Sequence, residues 1–480
     1  MHDLLQNFIA GEYRPAEAGT ATTSLNPADS RDVVARVPEG SAADADAATS
    51  TAAEAWPGWR RLPGPVRADH LYRWADAIAS RQEELARTLM REVGKPIAEA
   101  RGEIARCIVI LRYYAGEAVR AKGEVIPAQA EGMLQFTLQE PLGVVGLITP
   151  WNFPAAIPLW KAAPALAFGN TVVLKPAEQA SLTATLLAGT ASDAGLPAGV
   201  FNVVLGAGGT VGSALLAAAP VRAVSFTGST GVGGRVAAAC AARNIRYQTE
   251  MGGKNVVIVM ADADLDLAAR LTAGGAMRFA GQKCTATSRA VVSAAVADAF
   301  IERLRREVAA LPVGPVDDAA TAVGPLITEA ARERVRAALA AAGDGRVSGG
   351  GLPRDAGCAN GWYVEPAIVR DVDPASDLAQ DELFGPVLAT FAVDGIDEAI
   401  DLANRTRYGL SASLFTRDLG AAMTYIHRIE AGLVRVNGDT TGVDPHAPFG
   451  GMKASSSGTR EQGGAAREFY TEYRTVQINP

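Results

Sequence analysis

The feature of this sequence that most constrains its fold is a regular alternation of short apolar runs with longer helical runs in the middle of the chain. The run Val144–Ile148 is apolar throughout, which is typical of a strand buried on both faces of a parallel sheet. Similar strand-like runs follow, separated by helical runs that begin near Ile157, Ser181 and Thr210: Thr171–Leu174, Phe201–Leu205 and Ala223–Phe226. This alternation predicts a βαβ series in which the loops at the carboxyl ends of the strands form a nucleotide-binding edge.

A second series of strands and helices is predicted after residue 250. Val256–Val259 is again a continuous apolar run. Further strand-like runs alternate with helical runs in the rest of the chain: Arg289–Ser293, Gly361–Ile368, Pro386–Val393 and Leu433–Asn437. Because 480 residues are too many for one hydrophobic core, we expect about two to four domains.

Other segments lie outside both series. Residues 1–60 are rich in turns and then in alanine, and we expect a helix there that Trp56-Pro57-Gly58 ends. Residues 65–123 carry apolar side chains at helical spacing, which predicts two or three amphipathic helices. Met133–Gln139 and Arg467–Ile478 alternate like isolated strands. Since an exposed strand edge must be covered, we expect these two strands to pair in an arm that contacts another subunit.

The composition excludes several classes of function. A net charge of -7 without a Lys/Arg-rich run argues against a nucleic-acid or membrane-surface partner. No apolar run reaches the ~18 residues that a membrane helix needs. The four cysteines and four histidines are widely spaced, so neither a disulfide framework nor a metal site is expected. We therefore expect a cytoplasmic protein that acts on a small molecule.

Three loops of the first series carry groups suited to a dinucleotide. Lys175 and Glu178 lie three residues apart, so that a cation and a carboxylate can hold the two hydroxyls of a ribose. The loop 226–233, FTGSTGVG, leads into a helix whose free N–H groups favour a pyrophosphate. The loop 206–212 has the spacing GxGxxxG and is a weak signal. Each loop alone is compatible with a simple turn, but three in one sheet favour nucleotide binding.

A short polar stretch, residues 279–288, contains the best candidate for a nucleophile. It places Cys284 among small residues, one lysine and several hydroxyl or amide side chains. A nearby cation such as Lys283, or a helix N-terminus, lowers the pKa of a thiol, so these surroundings are typical of a reactive cysteine. Free cysteines are also among the most buried residues, and this stretch alone leaves a structural role equally open. Since no histidine accompanies it, a catalytic base is expected to be a carboxylate.

Taken together, the motifs of this chain resemble the aldehyde dehydrogenase superfamily, and the resemblance covers essentially the whole sequence. The motifs are, in order, TPWNFP (149–154), GNT (169–171), KPAE (175–178), FTGS (226–229), EMGGK (250–254), GQKC (281–284), ELFGP (382–386) and PFGG (448–451). Met251 stands where leucine is commoner in the family, a difference that conserves volume. The resemblance implies NAD or NADP as cofactor, a small aldehyde as substrate and a homodimer or homotetramer.

The resemblance also implies a domain organisation within the α/β class. Two Rossmann-type parallel-sheet domains would be joined by a small β oligomerisation arm. Residues 1–122 and 142–249 would form the dinucleotide-binding domain and residues 250–452 the catalytic domain. Residues 123–141 and 453–480 would form the arm.

The roles of individual residues follow from the same resemblance. Cys284 would attack the aldehyde carbon, Asn152 and the Cys284 backbone N–H would hold the oxyanion, and Glu250 would activate the hydrolytic water. Glu461 and Lys161 match a secondary proton-relay position. The cofactor would be contacted by Ile148, Thr149, Pro150, Trp151, Lys175, Glu178, Gly208, Gly212, Phe226, Thr227, Gly228, Ser229, Val232, Glu250, Met251, Gly252, Glu382 and Phe384. The substrate would be contacted by Asn152, Phe153, Arg106, Arg278, Lys283, Thr285 and Phe449.

Arg278 suggests the class of aldehyde. It lies six residues before Cys284 in a passage of apolar and small residues, and in the family this position lines the tunnel to the thiol. An arginine there can hold a substrate carboxylate through a bidentate fork, as in succinic semialdehyde dehydrogenases. The segments 281–289, 442–446 and 460–463 most resemble the α-ketoglutaric semialdehyde (2,5-dioxopentanoate) dehydrogenases. The alternative for Arg278 is a pair with a protein carboxylate such as Glu103.

Three hypotheses of different class are compatible with the sequence. The first is NAD(P)-dependent oxidation of a semialdehyde such as α-ketoglutaric semialdehyde, of succinic semialdehyde, or of another small aliphatic or aromatic aldehyde. The second is a CoA-acylating aldehyde dehydrogenase or another cysteine acyl-transfer enzyme, against which Glu250 argues because a water-activating base is useful only when water is the acceptor. The third is a non-catalytic protein that keeps the fold.

Overall fold

The computed structural model describes residues 4–17, 19–120, 123–343 and 345–479. The strands, numbered in chain order, are β1 Asn7–Ile9, β2 Glu12–Arg14, β3 Ala21–Asn26, β4 Asp29–Pro38, β5 Val125–Ile126, β6 Leu134–Pro141, β7 Val144–Ile148, β8 Thr171–Lys175, β9 Phe201–Val203, β10 Val221–Thr227, β11 Arg246–Glu250, β12 Asn255–Val259, β13 Thr287–Ser293, β14 Val347–Gly349, β15 Ala367–Val369, β16 Val387–Val393, β17 Tyr408–Gly409, β18 Ser411–Phe415, β19 Leu433–Val436, β20 Met452–Lys453, β21 Ser456–Ser457 and β22 Thr471–Ile478. The α-helices are α1 Ala42–Arg61, α2 Gly64–Ser80, α3 Gln82–Val93, α4 Ile97–Glu117, α5 Ala156–Ala167, α6 Ser181–Asp193, α7 Ser213–Ala217, α8 Thr230–Ala242, α9 Leu265–Met277, α10 Ala297–Ala309, α11 Glu329–Ala342, α12 Asp377–Gln380, α13 Ile396–Asn404, α14 Leu419–Arg428 and α15 Ala466–Tyr470.

The first predicted series forms an eight-stranded sheet in the order β2-β1-β9-β8-β7-β10-β11-β21. Its five inner strands, from β9 to β11, run parallel, as the alternation predicted. The apolar run 144–148 is the central strand β7, and its side chains are largely buried. The register places Ile148 beside both Lys175 and Phe226. The loops that follow these three strands therefore lie together at one edge of the sheet.

The second predicted series forms a seven-stranded sheet in the order β14-β15-β16-β13-β12-β18-β19. All of its neighbours are parallel except β14 and β15. The strand predicted at Gly361–Ile368 is wrong at its beginning, because β15 starts at Ala367. Residues 362 and 365 donate their backbone N–H groups to Pro27 and Gly351 instead of to a sheet neighbour.

The two strands that lie outside both series pair with each other, as predicted. β22 runs antiparallel to β6 from Thr471 opposite Pro141 to Ile478 opposite Leu134, and β5 adds a third strand. The tail strand begins later than predicted, since residues 466–470 form the short helix α15, which buries Phe469 and Tyr470. β21 lies outside this arm and pairs with β11 at the edge of the first sheet.

The helical prediction for residues 65–123 is confirmed by α2, α3 and α4. The prediction that Trp56-Pro57-Gly58 ends the preceding helix is wrong, because α1 continues through Pro57 to Arg61. Proline removes one helical hydrogen bond, but the last turn is held by tertiary contacts. Trp59 is buried and its indole N–H donates to the carbonyl oxygen of Leu166 at 3.1 Å.

Two negative findings apply to the four described ranges of the chain. None of their helices is both long and apolar enough to cross a membrane. No group of three or more His, Cys, Asp or Glu side chains in them is arranged to hold a metal ion.

Candidate active site

Cys284 lies in a strained loop between α9 and β13. The loop begins with a 3-10 turn in which Phe279 and Ala280 have positive φ angles of 55° and 51°, a conformation that non-glycine residues rarely adopt and that concentrates at functional sites. The Cys284 carbonyl accepts a hydrogen bond from the side-chain amide of Asn255 at 2.8 Å. The strain and this bond fix the backbone around a largely buried thiol that keeps a small exposed surface.

The pKa of the Cys284 thiol differs from the sequence expectation. Burial, followed by the carboxylates of Glu382 and Glu250, raises this pKa to about 12. Lys283 is not among the groups that shift this pKa, and its ammonium group pairs with Glu99 at 2.9 Å. The expectation that a neighbouring cation within the chain activates the thiol is therefore wrong, and the sequence could not show it because Glu99 is 184 residues from Lys283.

Asn152 lies beside the cysteine loop. Its side-chain amide is buried and donates to the carbonyl oxygen of Gln282 at 3.0 Å. Gln282 is held in turn, since its own amide donates to the Pro325 carbonyl and accepts from the Ile327 backbone N–H. The Asn152 amide is therefore a fixed hydrogen-bond donor that contacts the chain two residues before Cys284. This is the placement that an oxyanion hole requires.

Glu250 ends β11 and is fully buried. Its Oε2 atom accepts a hydrogen bond from the Ser456 hydroxyl at 2.6 Å. Its Oε1 atom is buried without a partner among the described residues. Burial and then the nearby carboxylate of Glu461 raise the pKa of Glu250 well above the ordinary range. A carboxylate of raised pKa with a free oxygen can accept a proton from water near neutral pH.

Lys161 and Glu461 form a buried ion pair behind Glu250. Lys161 on α5 donates to Glu461 Oε1 and to the Ser225 hydroxyl, the latter at 2.8 Å. The Ser225 hydroxyl also contacts Glu461 Oε1 at 3.0 Å. The other oxygen of Glu461 is buried and has no partner in the described ranges. The two predicted relay residues thus contact each other across 300 positions of sequence.

Lys175 and Glu178 lie at the carboxyl end of β8, as expected for a ribose site. The Lys175 ammonium lies 3.2 Å from Glu178 Oε1. The same carboxylate oxygen accepts the backbone N–H of Gly208 at 2.8 Å. Lys175 is buried whereas Glu178 is half-exposed. Gly208 and Gly212 bound a π-helical turn before α7, so the loop with GxGxxxG spacing does belong to this edge.

A cavity of about 670 Å³ opens beside this edge, between the 208–217 segment and α8. Four of the predicted cofactor residues line it, namely Ile148, Gly208, Gly212 and Val232. The sequence reasoning missed others on the cavity-facing sides of α7 and α8, including Ser213, Leu216, Arg235 and Val236. The apolar and small residues of α8 were the signal that could have identified them.

The remaining predicted cofactor residues surround the same edge. Thr149 and Thr227 have buried hydroxyls without partners among the described residues. The backbone N–H of Gly228 donates to the Glu250 carbonyl at 3.0 Å, and Ser229 precedes α8 without capping it through its side chain. The unpaired hydroxyls of Thr149 and Thr227 follow or end strands at this edge, where they can satisfy hydroxyl or phosphate oxygens of a dinucleotide. Pro150 and Trp151 follow Thr149 in the loop after β7, and Phe226 and Met251 belong to the apolar cluster beneath.

Glu382 and Phe384 reach the site from the second sheet. Glu382 accepts the backbone N–H of Gly253 at 3.1 Å and packs so closely on Gly252 that an added Cβ would overlap it. Burial raises the pKa of Glu382 to about 7. Phe384 has a positive φ of 56° and its ring packs edge-on against Trp151 at 5.6 Å. The two sheets therefore meet at the predicted cofactor contacts.

Three of the predicted substrate residues lie close to Cys284 or to residues that contact it. Phe449 packs on Trp160 and belongs to an apolar cluster that touches Cys284 and Val443. Arg106 on α4 donates to the Val443 carbonyl, so it lies beside this cluster. Thr285 is buried, and its carbonyl accepts from the Thr440 hydroxyl at 2.7 Å.

Arg278 is exposed at the beginning of the cysteine loop. Its backbone N–H donates to the Gly274 carbonyl, while its side chain forms no hydrogen bond or ion pair within the described part of the chain. The alternative that it pairs with Glu103 is wrong, since Glu103 is buried and pairs with Lys95. Phe153 and Phe279 have their rings 6.5 Å apart, and Lys95 lies against both. The sequence reasoning missed Lys95 and Glu103, because nothing in a Gly-Lys-Pro turn distinguishes a buried lysine from an exposed one.

The comparisons with known proteins agree over nearly the entire sequence. The model of the Aldehyde dehydrogenase family matches residues 13–476. The "Alpha-ketoglutaric semialdehyde dehydrogenase" of Bacillus subtilis (strain 168) is 46% identical over 480 residues, covering 99% of this chain and 98% of that protein. The crystal structure of an NAD-dependent aldehyde dehydrogenase from Sinorhizobium meliloti has a TM-score of 0.95 at 38% identity, covering 99% of this chain and 95% of that chain. That of an E. coli NADP dependent enzyme has a TM-score of 0.95 at 37% identity, covering 99% and 98%. Because a family model and full-length relatives agree in this way, the chain belongs to the aldehyde dehydrogenase family.

Proposed function

We propose that this protein oxidises an aldehyde to a carboxylic acid with NAD or NADP, through a covalent intermediate on Cys284. The observation that carries the proposal is the contact between the Asn152 amide and the Gln282 carbonyl at 3.0 Å. This contact brings a neutral hydrogen-bond donor to the loop of the largely buried cysteine. A donor in that position is useful when negative charge develops on an oxygen bound next to the thiol.

In the first half of the reaction, Sγ of Cys284 attacks the aldehyde carbon as the thiolate. A carbon–sulfur bond forms and the carbonyl oxygen becomes an oxyanion, which the Asn152 amide and the Cys284 backbone N–H hold. The carbonyl double bond then reforms, and the hydrogen on that carbon leaves with its electron pair as a hydride. When bound, an oxidised nicotinamide would supply the hydride acceptor, and its positive charge would oppose the raised pKa of Cys284.

In the second half, water attacks the carbon of the Cys284 thioester. Glu250 takes the proton of that water, the carbon–sulfur bond breaks, and the acid leaves with Cys284 restored as a thiolate. Lys161 and Glu461 stand behind Glu250 as a buried ion pair. We propose that they receive the proton and pass it on.

For the cofactor, Glu178 favours NAD over NADP, because a carboxylate at the ribose repels a 2′-phosphate. Lys175 beside it attracts the same phosphate. Both cofactors are represented among the solved structures that resemble this chain, one named NAD-dependent and the other NADP dependent.

For the domains, we propose the division predicted from the sequence. Residues 1–122 and 142–249 would bind most of the nucleotide, and residues 250–452 would supply the thiol.

For the substrate, we propose a short semialdehyde that carries a carboxylate, with α-ketoglutaric semialdehyde as the first choice. The relative from Bacillus subtilis, 46% identical, is named for that compound. Arg278 is exposed without an ion partner among the described residues, which leaves its guanidinium available to a carboxylate. The apolar cluster around Phe449 and Leu410 touches Cys284 and would enclose the carbon chain.

We propose further that the protein is a cytoplasmic homodimer or homotetramer. β22 and β19 are edge strands of their sheets, and β22 exposes Tyr473 and Ile478 while β19 exposes Val434 and Val436. Exposed apolar edges favour a second copy as their cover. The free state of all four cysteines is in keeping with a reducing compartment.

The proposed activity is tested by a panel of aldehydes with NAD+ and NADP+, with and without CoA, followed by the absorbance of the reduced cofactor. We expect reduction without CoA and the highest kcat/KM for α-ketoglutaric semialdehyde. A strict need for CoA would identify an acyl-transfer enzyme instead. No reduction with any substrate would contradict the proposal.

A further inference from the structure

Lys95 is a buried cation that the proposed reaction does not use. Its side chain is 0% exposed. It forms an ion pair with Glu103 and donates a second hydrogen bond to the backbone carbonyl of Asn152 at 2.7 Å. The latter contact is made to the residue that supplies the proposed oxyanion donor.

The partner of Lys95 is attached to the same loop from the other side. Glu103 Oε2 pairs with Lys95, while its Oε1 accepts the backbone N–H groups of Ala155 and Ala156 at 2.9 and 3.0 Å. These N–H groups belong to the start of α5, where a carboxylate is favoured by the helix dipole. The ion pair therefore holds the loop at residue 152 and again three residues later.

Lys95 also contacts the cysteine loop. Its ammonium lies 3.9 Å from the ring centre of Phe153 and 4.4 Å from that of Phe279, within the range of a cation–π interaction. Phe279 is one of the two strained residues that begin the cysteine loop. One ammonium group thus touches both the loop of Asn152 and the loop of Cys284.

The helix α4 presents one face to this region. Glu99, Glu103 and Arg106 are spaced four and three residues apart, so they lie on the same side of the helix. Glu99 binds Lys283 next to the nucleophile, Glu103 binds Lys95, and Arg106 binds the carbonyl of Val443. Of the three, the Glu103 contact is the one that is almost completely buried.

We propose that the Lys95–Glu103 pair is a positioning device for the oxyanion hole, which sets the Asn152 amide against the Cys284 loop. The inference rests on the proposed function. A buried ion pair is costly to desolvate and is often replaceable by apolar side chains without loss of stability. A role in positioning the Asn152 amide explains the presence of this ion pair, because small displacements of a catalytic donor have large effects on rate.

The mechanism of positioning follows from the contacts. The Lys95 bond to the Asn152 carbonyl fixes the peptide plane between residues 152 and 153. The Glu103 bonds to the Ala155 and Ala156 N–H groups fix the next planes but one, at 154–155 and 155–156. With the backbone fixed, the Asn152 side chain has one direction in which its amide reaches the Gln282 carbonyl. Loss of either charge leaves that backbone free to shift, while the thiol and the cofactor edge keep their own supports.

The test uses the full-length protein and three variants: Lys95→Met, Glu103→Gln and the double variant. Glu103→Gln keeps an oxygen for the α5 N–H groups, and the double variant leaves no unpaired buried charge, so it folds even where a single one does not. Glu83→Gln is the matched control, since Glu83 binds Arg101 between the neighbouring helices α3 and α4 on the surface. The readouts are the first-turnover rate of cofactor reduction, the dissociation constant of the cofactor and the rate of Cys284 alkylation by iodoacetamide.

We expect each of the three variants to lose about 10- to 100-fold in first-turnover rate, with cofactor affinity and alkylation rate changed by less than about threefold. In an Asn152→Ala background, Lys95→Met should cost almost nothing further, because its effect passes through Asn152. A full multiplicative loss in that background, or a wild-type first-turnover rate in the folded double variant, would overturn the inference. An inactive wild-type protein would instead contradict the proposed function, which keeps the two failures distinct.

Discussion

The Ser456 hydroxyl donates to Oε2 of Glu250 at a distance of 2.6 Å and so anchors the proposed general base to the segment that precedes the arm strand. The other oxygen, Oε1, is buried without a partner in the described ranges and lies next to Gly450. Burial is the largest cause of the raised pKa of Glu250, and the carboxylate of Glu461 is the next largest. Among the described residues, Glu461 also has one buried oxygen without a partner. The protonation of Glu250 therefore depends on its burial and on its carboxylate neighbour.

The first prediction concerns that pH dependence. Glu250 acts as a base only when ionised, so kcat should be low at acidic pH and rise as Glu250 loses its proton, at a higher pH than for an ordinary glutamate. Glu461→Gln removes the negative neighbour that helps to raise the pKa of Glu250, so this pKa should fall. The rising limb of the kcat–pH profile should therefore move to lower pH.

The control for this experiment is Glu302→Gln, because Glu302 pairs with Arg306 on the exposed face of α10. Its profile should match that of the wild type. A limb that stays in place in Glu461→Gln would show that Glu461 does not set the charge of the base.

The second prediction concerns the choice of cofactor. Glu178→Gln keeps the shape of the side chain but removes the charge that would face a 2′-phosphate. We expect kcat/KM for NADP to rise by roughly 5- to 30-fold relative to NAD, which corresponds to about 1 to 2 kcal/mol for a repulsion partly screened by solvent. Initial rates with both cofactors at several concentrations provide the ratio, and an unchanged ratio would mean that Glu178 does not discriminate.

The third prediction concerns the substrate carboxylate. Arg278→Ala should lower kcat/KM for α-ketoglutaric semialdehyde by roughly 10- to 150-fold, since a charge-assisted contact contributes about 1.5 to 3 kcal/mol. A neutral aldehyde of similar length should be nearly unaffected. Arg270→Ala is the control, because Arg270 is also exposed on the preceding helix α9. An equal loss for both aldehydes, or no loss for either, would remove Arg278 from the substrate site.

The sequence predicted the parts of this fold that depend on local patterns. The continuous apolar run 144–148 is the central strand β7, and the alternating runs near 134 and 471 pair in register. Local rules failed where tertiary contacts override them. Pro57 lies inside α1 because Trp59 is anchored to Leu166, and residues 466–470 are helical because Phe469 and Tyr470 enter the core.

The same distinction applies to the site. The motif positions around Cys284, Asn152 and Glu250 were recognisable from the sequence as a family pattern. The supports of these residues were not, since Lys283 binds Glu99 and Glu250 binds Ser456 across 184 and 206 residues. The raised pKa of Cys284 also depends on Glu382, a carboxylate that no local spacing connects with the thiol.

The central claim, a covalent acyl intermediate on Cys284 that Glu250 helps to hydrolyse, is tested most directly by mass spectrometry of Glu250→Gln after mixing with NAD+ and α-ketoglutaric semialdehyde. Glu250→Gln should release one burst of reduced cofactor per active site and then turn over slowly, because hydride transfer does not need the base but hydrolysis does. During the slow phase, the peptide that contains Cys284 should carry the mass of the acyl group, and Cys284→Ala should show neither burst nor adduct. An equal loss of burst and steady-state rate with an unmodified Cys284 peptide, or an adduct on another residue, would contradict the account.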